Sequence, residues 1–406
     1  MIKRIVIVHT DFRLYWPSRL KALNAYIKKM GDLDLSIVEV SGKGSPYSFD
    51  ESGMDNSISW TRLFTDKKIE DINPKDIVRE VTKKLDEIKP DIVLAGAMAF
   101  PAGAAGVRWG VNNNTPVVVF DNARLEDVPR AWYIDMIKKS LYSCVDAVLI
   151  PAPSHDPTYE YFGFSKQQIF YGLNCIDNSF FKNNTANADN PGLQNLNLMK
   201  PYLLALGRQV SKKNWKLLIN AFTEIAEFPE MKSLNLAFIG DGPEHDELVS
   251  LSGNMLNKRI FFLPFKKQDE IVPYYTNAEA LVLPSLYGET WGLVVNEAMA
   301  AGLPVLVSNK CGCSETLVKD GKNGYKFNPE KPDEIENILI KFASHTPAEK
   351  QEMGRCSEVI IDEWGLKTFC EGMWKAIQYV GNKKKSKGSL IGRVITNVWN
   401  GRYRPT

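Results

Sequence analysis

Ala280-Leu281-Val282-Leu283-Pro284-Ser285-Leu286-Tyr287-Gly288-Glu289-Thr290-Trp291-Gly292-Leu293-Val294-Val295-Asn296-Glu297-Ala298-Met299-Ala300-Ala301-Gly302-Leu303-Pro304 is the stretch that decides the fold of this chain. Its first four residues are wholly apolar and read as a strand buried on both faces. A turn punctuated by glycine follows, then an apolar helix from Gly292 to Ala301, stopped by Gly302 and Pro304. Pro304 to Val307 supplies the next strand, and a strand-helix-strand unit of this length implies a parallel sheet. The helix turns its unpaired N–H groups and the positive end of its dipole towards the turn, an arrangement suited to an anion such as a diphosphate. Two carboxylates lie here: Glu289 in the turn and Glu297 among Val294, Val295, Ala298 and Met299. A carboxylate in apolar company is costly unless paired or bound to something, so Glu297 is either half of an internal ion pair or a ligand-binding group.

The same alternation extends outward. Tyr202 to Leu206, Asn235 to Ile239 and Ile260 to Leu263 read as strands, separated by helices from Trp215 to Ala226, near Glu244 to Ser252 and near Ile271 to Tyr275. An earlier series runs through Ile5 to His9, a helix from Pro17 to Lys29, Leu35 to Val40, a helix from Pro74 to Ile88, Asp91 to Ala95, Pro116 to Phe120, a helix around Ala131 to Tyr142, and Ala147 to Ile150. Between the two lies a polar, Asn-rich segment closed by Pro191-Gly192, which reads as a linker. A chain of 406 residues that is 44% apolar holds more than one core normally uses, since cores stop growing at roughly 250 to 300 residues. The expectation is an α/β protein of two tandem Rossmann-like domains facing across a cleft. The first occupies residues 1–182, the linker 183–198 and the second domain 199–364. A closing helix over 365–380 carries Leu366, Phe369, Cys370, Met373, Trp374, Ile377 and Val380 on one face and packs back towards the first domain; a basic amphipathic tail spans 381–406.

Composition excludes several classes. The longest uncharged stretch, Ile92 to Val107, is shorter than the roughly 20 residues of a membrane-spanning helix. The chain enters a buried strand directly rather than a signal peptide, so a cytoplasmic location is expected. Cys144, Cys175, Cys311, Cys313, Cys356 and Cys370 show no CxxC spacing, which argues for free thiols rather than a zinc site or a disulfide framework. The segment from Gly381 to Thr406 holds seven basic residues and no acid, so the net charge of +2 conceals a body at −5 and a cationic tail. A nucleic-acid-binding protein would carry its basic footprint on the folded surface instead. Asp32-Leu33-Asp34 falls in a helix-to-strand turn, where a solvated turn is the better reading than a metal site.

Glu289, seven intervening residues and Glu297, set in Pro-Ser-x-x-x-Glu-x-Trp-Gly-x-x-x-x-Glu-Ala-Met-Ala-x-Gly-x-Pro-Val, resemble the signature of the retaining GT-B glycosyltransferases of the family-four type, glycosyl transferases group 1. That family includes sucrose and glycogen synthases and many bacterial mannosyl-, glucosyl- and N-acetylhexosaminyltransferases. Trp291 stands where its usual Phe stands. Leu206-Gly207-Arg208 with Lys213 five residues after the Arg, Gly240-Asp241-Gly242-Pro243, and Phe262-Leu263-Pro264-Phe265 resemble further family segments in the same order. Gly172-Leu173-Asn174-Cys175-Ile176-Asp177, with Phe180 or Phe181, is similar to the segment before the linker. The resemblance implies that Arg208 and Lys213 hold the diphosphate of a UDP-, GDP- or ADP-sugar donor, with no cofactor and no metal. It implies further that Glu289 contacts the sugar, that Glu297 accepts hydrogen bonds from the ribose, and that Gly207, Gly240, Phe265, Gly288, Thr290, Trp291, Gly292 and Leu293 complete the donor site. The activity it implies is transfer of a hexosyl or N-acetylhexosaminyl group to a glycan, glycolipid or lipid-linked acceptor, in cell-surface polysaccharide synthesis.

The first half is less regular. The family's N-terminal His is absent, and Asp121, in Val119-Phe120-Asp121-Asn122-Ala123-Arg124, is the candidate in its place. Of the histidines, His9 ends the first strand, while His155, His245 and His345 fall in ordinary loops or helix starts. The loop holding Arg13, Tyr15, Trp16 and Arg19 ends the first strand and either contacts the acceptor or packs the first helix on the sheet. Ala97 to Gly103 either lines an acceptor groove or makes a tight helix contact. In the tail, Leu390, Ile391, Val394, Ile395, Val398 and Trp399 share a helical face beside lysines; residues 383–404 either attach to an anionic membrane surface or pack on the body. Rival functions are a nucleotide-sugar 2-epimerase on the same fold, or a tandem Rossmann nucleotide-binding protein without activity. No Gly-x-Gly-x-x-Gly follows the first strand, as an oxidoreductase would require.

Overall fold

The computed structural model describes residues 2–44, 54–127, 129–183, 199–383, 385–386 and 388–402; apart from Asn183, the expected linker lies outside them. The chain forms two units, one of Met1–Leu125, Pro129–Cys175 and Leu366–Thr406, the other of Glu126–Val128 and Ile176–Gly365.

The first unit is built on strands β1 (Arg4–His9), β2 (Asp34–Glu39), β3 (Ser59–Arg62), β4 (Ile92–Ala95), β5 (Val117–Phe120), β6 (Ala147–Ile150) and β7 (Ile169–Tyr171). They form a seven-stranded sheet in the order β3-β2-β1-β4-β5-β6-β7, and every pairing is parallel. Alternation along β1 sends Ile5 and Ile7 into one layer, with Leu20, Leu23 and Ile27 of helix Trp16–Gly31 and Phe369, Met373 and Ile377 of helix Leu366–Gly381. Val6 and Val8 enter the opposite layer, with Val81 and Leu85 of helix Pro74–Ile88 and Ala105 of helix Pro101–Asn112. A strand covered on both faces is apolar throughout, which is why these strands read as runs rather than alternations.

Two elements of this unit differ from the sequence expectation. Strand β3 is an edge strand whose residues, Ser-Trp-Thr-Arg, lack an apolar run; Trp60 and Arg62 instead donate to the buried Glu39 at 3.1 and 2.9 Å. Helix Pro101–Asn112 carries no amphipathic period because it is buried nearly all round. Its glycines permit that burial: a Cβ at Gly103 would lie 2.3 Å from the Gly96 and Ala97 carbonyls, and one at Gly110 would lie 2.2 Å from Val117. Of the two readings of Ala97 to Gly103, the structure gives the tight helix contact. Asp32 ends the first helix in the left-handed region at φ 49°, and both Asp32 and Asp34 are exposed.

The tail folds as helix Leu390–Val398 on the first unit. Trp399 Nε1 donates to the Met98 carbonyl at 2.7 Å, and Arg108 Nε to that of Thr396 at 3.1 Å. Lys385 pairs with the buried Asp146 at 2.6 Å, so part of the expected lysine cluster is structural; Lys384, Lys387 and Arg404 lie outside the described residues.

The second unit holds β8 (Tyr202–Leu206), β9 (Asn235–Ile239), β10 (Ile260–Leu263), β11 (Ala280–Leu283), β12 (Val305–Ser308) and β13 (Gly324–Phe327). The order is β10-β9-β8-β11-β12-β13, again all parallel. The direction of winding reverses between β8 and β11, and loops leaving the carboxyl ends of such neighbours leave a crevice. Helix Asn178–Asn183 belongs here rather than to the first domain, since Asn178 Nδ2 donates to the Ile361 carbonyl at 2.8 Å and Lys182 pairs with Asp362 at 2.8 Å. The N-terminal portion of the first unit therefore ends at Cys175, short of the expected residue 182, and the unit resumes at Leu366.

Candidate functional site

Three loops meet at this switch point. The loop after β8 carries Gly207, Arg208 and Lys213, and the one after β9 carries Gly240 to Pro243. They run against each other: Gly207 N–H donates to the Ile239 carbonyl at 3.0 Å and Gln209 N–H to that of Asp241 at 2.9 Å. Only glycine fits this approach, because a Cβ at Gly240, where φ is +130°, would lie 2.4 Å from the Gly207 oxygen. Gln209, a residue sequence reasoning passed over, locks the pair. It is buried, its Nε2 donates to the Gly240 carbonyl at 2.6 Å, and its Oε1 lies 2.8 Å from His245 Nδ1. Nothing periodic marks a polar residue in a loop, so only its place after Arg208 could have drawn attention to it.

The third loop, after β11, closes on the first. Leu286 N–H donates to the Lys212 carbonyl at 2.9 Å, and the ammonium of Lys213 binds the carboxylate of Glu289. Ser285 Oγ adds a hydrogen bond to the same carboxylate at 3.2 Å. Burial by itself would push the Glu289 carboxyl up; the Lys213 ammonium outweighs it and holds the group below its ordinary value. Lys213 also lies along Gly207, whose Cβ would stand 3.6 Å from the ammonium nitrogen. A fixed cation, glycine backbone and carboxylate are thus brought together. Beside them Gly292, at φ +105°, begins helix Leu293–Ala300 with no side-chain cap, so the half-buried Leu293 stands at a helix start suited to an anion.

The remaining expected residues divide. Arg208 is half-buried, with its carbonyl accepting from Trp215 Nε1 at 2.9 Å. Gly288, at φ +64°, and Thr290 are half-buried in the turn. Phe265 is 43% exposed, and its N–H donates to Asp241 at 3.0 Å. Glu297 is buried and accepts from Tyr275 Oη at 2.6 Å, a partner that sequence reasoning did not supply. Trp291 is a correction. Its indole is 2% exposed and donates to Asn296 at 2.9 Å, so the side chain serves the core and only its backbone belongs to the turn.

In the first unit Asp121 is buried and accepts from Tyr142 Oη and from the Ala123 N–H at 3.2 Å. Burial, then this carboxylate, push the Tyr142 hydroxyl far above its ordinary pKa. Arg19 is a second correction: its guanidinium is buried and donates to the Cys175 carbonyl at 3.0 Å, which makes it a clamp within the unit rather than an acceptor contact. Arg13 is buried as well, with Asp11 at 3.4 Å and the Gly44 carbonyl at 2.9 Å. Trp16 packs against His9, Phe12 and Phe120 with ring centres 5.2–5.3 Å apart, and Tyr15 lies under Arg19 at 5.7 Å. Of the two readings of this loop, packing of the first helix on the sheet is the one these contacts describe. His9 is driven down to about 4 by burial among those rings, so it is neutral at physiological pH.

Residues 189–355 match the family model described as glycosyl transferases group 1. Sulfoquinovosyl transferase SQD2 of Arabidopsis thaliana is 26% identical over 352 residues, covering 80% of this chain and 62% of the plant protein. The chain thus spans under two thirds of that curated relative. The solved sucrose-phosphate synthase of Thermosynechococcus elongatus superposes with a TM-score of 0.70 at 18% identity, over 93% of this chain and 98% of its own. HepE of Anabaena, solved with UDP and glucose, superposes with a TM-score of 0.67 at 17% identity, over 93% and 100%. Residues 189–355 of the second unit thus resemble the glycosyl transferases group 1, and the chain has the GT-B fold of these solved structures.

Proposed function

We propose that the chain is a retaining glycosyltransferase that moves a hexosyl or N-acetylhexosaminyl group from a nucleoside diphosphate sugar to a hydroxyl of a glycan, glycolipid or lipid-linked acceptor. The observation that carries this reading is the Lys213–Glu289 pair, held against Gly207 beside the uncapped start of helix Leu293–Ala300. Breaking a sugar–phosphate bond develops negative charge on the departing diphosphate, and preorganised charge facing it is usually the largest catalytic contribution. Lys213 supplies a point charge, Arg208 a planar fork for phosphate oxygens, and the helix start backbone donors. These groups do the work that a metal ion does in other transferases. The paired state of Lys213 has a consequence: a bound donor shares the ammonium with Glu289, which leaves a carboxylate oriented towards sugar hydroxyls. Glu297 meets the ribose hydroxyls beside Tyr275, and Phe265 stacks on the base. Transfer proceeds on one face of the sugar, the departing phosphate accepting the proton of the incoming hydroxyl, so the anomeric configuration is kept. The solved relative that holds UDP and glucose favours a uridine donor, and a cell-surface polysaccharide is the acceptor class this reading favours.

The test is incubation with UDP-, GDP- and ADP-sugars followed by NMR of products. Release of nucleoside diphosphate with an unchanged anomeric configuration supports the proposal, an inverted product refutes retention, and an epimerised donor points to the rival epimerase. Arg208→Ala should lower turnover by about 100-fold or more, as loss of a transition-state charge partner does; an unchanged rate removes Arg208 from the site.

A further inference from the structure

The tail helix has two faces, and the fold covers only one of them. Gly392 and Thr396 are buried, and Gly392 approaches helix Trp132–Tyr142 so closely that a Cβ there would lie 2.2 Å from the Ser140 carbonyl. Ser389 N–H donates to Ser143 Oγ at 3.1 Å, and Trp399 and Arg108 fix the other end. The helix is therefore held in one rotation about its axis. On the opposite side, at helical spacing, stand Leu390 (77% exposed), Ile391 (65%), Val394 (60%) and Val398 (70%). The neighbouring helix adds Trp132, 75% exposed, and Met136, 55% exposed, which precede Ser140 on the same ridge by two turns and one turn. Folded proteins seldom leave so much apolar surface in one place without a partner.

We propose that this two-helix patch is the surface by which the first unit docks on an anionic lipid membrane. Charge selects the partner. Residues 381–406 carry seven cations and no acid, of which Arg393 and Arg402 are exposed on or next to the helix, and Lys139 is exposed on the neighbouring helix. Asp135 on that neighbour is neutralised by Arg130 at 3.1 Å. A second copy of this chain would bring the same cations face to face, whereas anionic headgroups complement them and the apolar side chains enter the acyl boundary. The patch shares no residue with the donor site, so its test needs no sugar nucleotide and can fail or succeed independently of the proposed activity.

Sedimentation of the full chain with phosphatidylcholine vesicles, with and without phosphatidylglycerol, tests the proposal. Binding to the phosphatidylglycerol vesicles, weakened by salt, is expected. The variant Leu390→Ser/Ile391→Ser/Val394→Ser/Val398→Ser should partition at least about tenfold less while its melting temperature stays unchanged, because these side chains lie outside the core. Trp132→Ser/Met136→Ser should also weaken binding; no change there removes the neighbouring helix from the surface. Failure of the unmodified chain to bind phosphatidylglycerol vesicles overturns the proposal whatever the variants do. So does equal binding by the four-serine variant, or a dimer in light scattering that this variant alone converts to monomer.

Discussion

Lys213 and Glu289 show how a charge is held in a poorly hydrated place by an opposite partner. Their side chains are 12% and 16% exposed, so removing one leaves the other poorly hydrated. Lys213→Ala should cost about 2–4 kcal/mol in urea unfolding at pH 7, and adding Glu289→Gln should recover most of it, because the second change removes the unpaired charge. Since the folded state depresses the Glu289 carboxyl, the pair's contribution is complete above the ordinary carboxylate pKa and is lost as pH falls through the folded value. His9 works in the same direction for a different reason. Burial lowers its pKa from 6.5 to about 4, so the unfolded chain binds a proton there before the folded one does. Stability from this site is complete above pH 6.5 and declines towards pH 4, by about 3 kcal/mol in all. His9→Leu should flatten that part of the melting temperature against pH; a profile as steep as that of the parent protein would show that other groups carry it.

At the scale of elements, the loops after β8 and β9 are set by glycines whose need is tertiary. Gly240 takes φ +130° and faces the Gly207 carbonyl, so Gly240→Ala combines backbone strain with a 2.4 Å clash. A loss of about 2–3 kcal/mol is expected, together with weaker thermal stabilisation by a nucleoside diphosphate. An alanine variant as stable as the parent would mean that the loops can part. The apolar runs of β1 and β11 and the Gly-punctuated turn before helix Leu293–Ala300 were legible in the sequence, because periodicity and turn chemistry act over a few residues. Strand β3 and helix Pro101–Asn112 were not. One is a polar edge strand fixed by Glu39, and the other is buried all round and so has no polar face to reveal its period.

At the scale of the molecule, the tail is part of the first unit. Deleting residues 381–406 removes the Lys385 partner of buried Asp146 and uncovers the surface under Ile395 and Trp399. The truncated chain should melt several degrees lower, since breaking a buried pair costs about 3–5 kcal/mol. An unchanged melting temperature would make the tail a free appendage.

The sequence by itself determined the two α/β units, most of their strands and helices in order along the chain, and the Gly-punctuated loops after β8, β9 and β11, because each of these is written in contiguous periodicity, glycine placement and short motifs. Only the tertiary structure decided their partners. It joined Lys213 to Glu289 across 76 residues, gave Glu297 to Tyr275, turned the Trp291 indole into the core, tied Arg19 to the Cys175 carbonyl and laid one face of the tail helix on the body. The reason is physical: a parallel sheet with crossover helices brings together loops far apart in the chain, and the choice among side chains that meet there depends on approach distances and burial that no local pattern encodes.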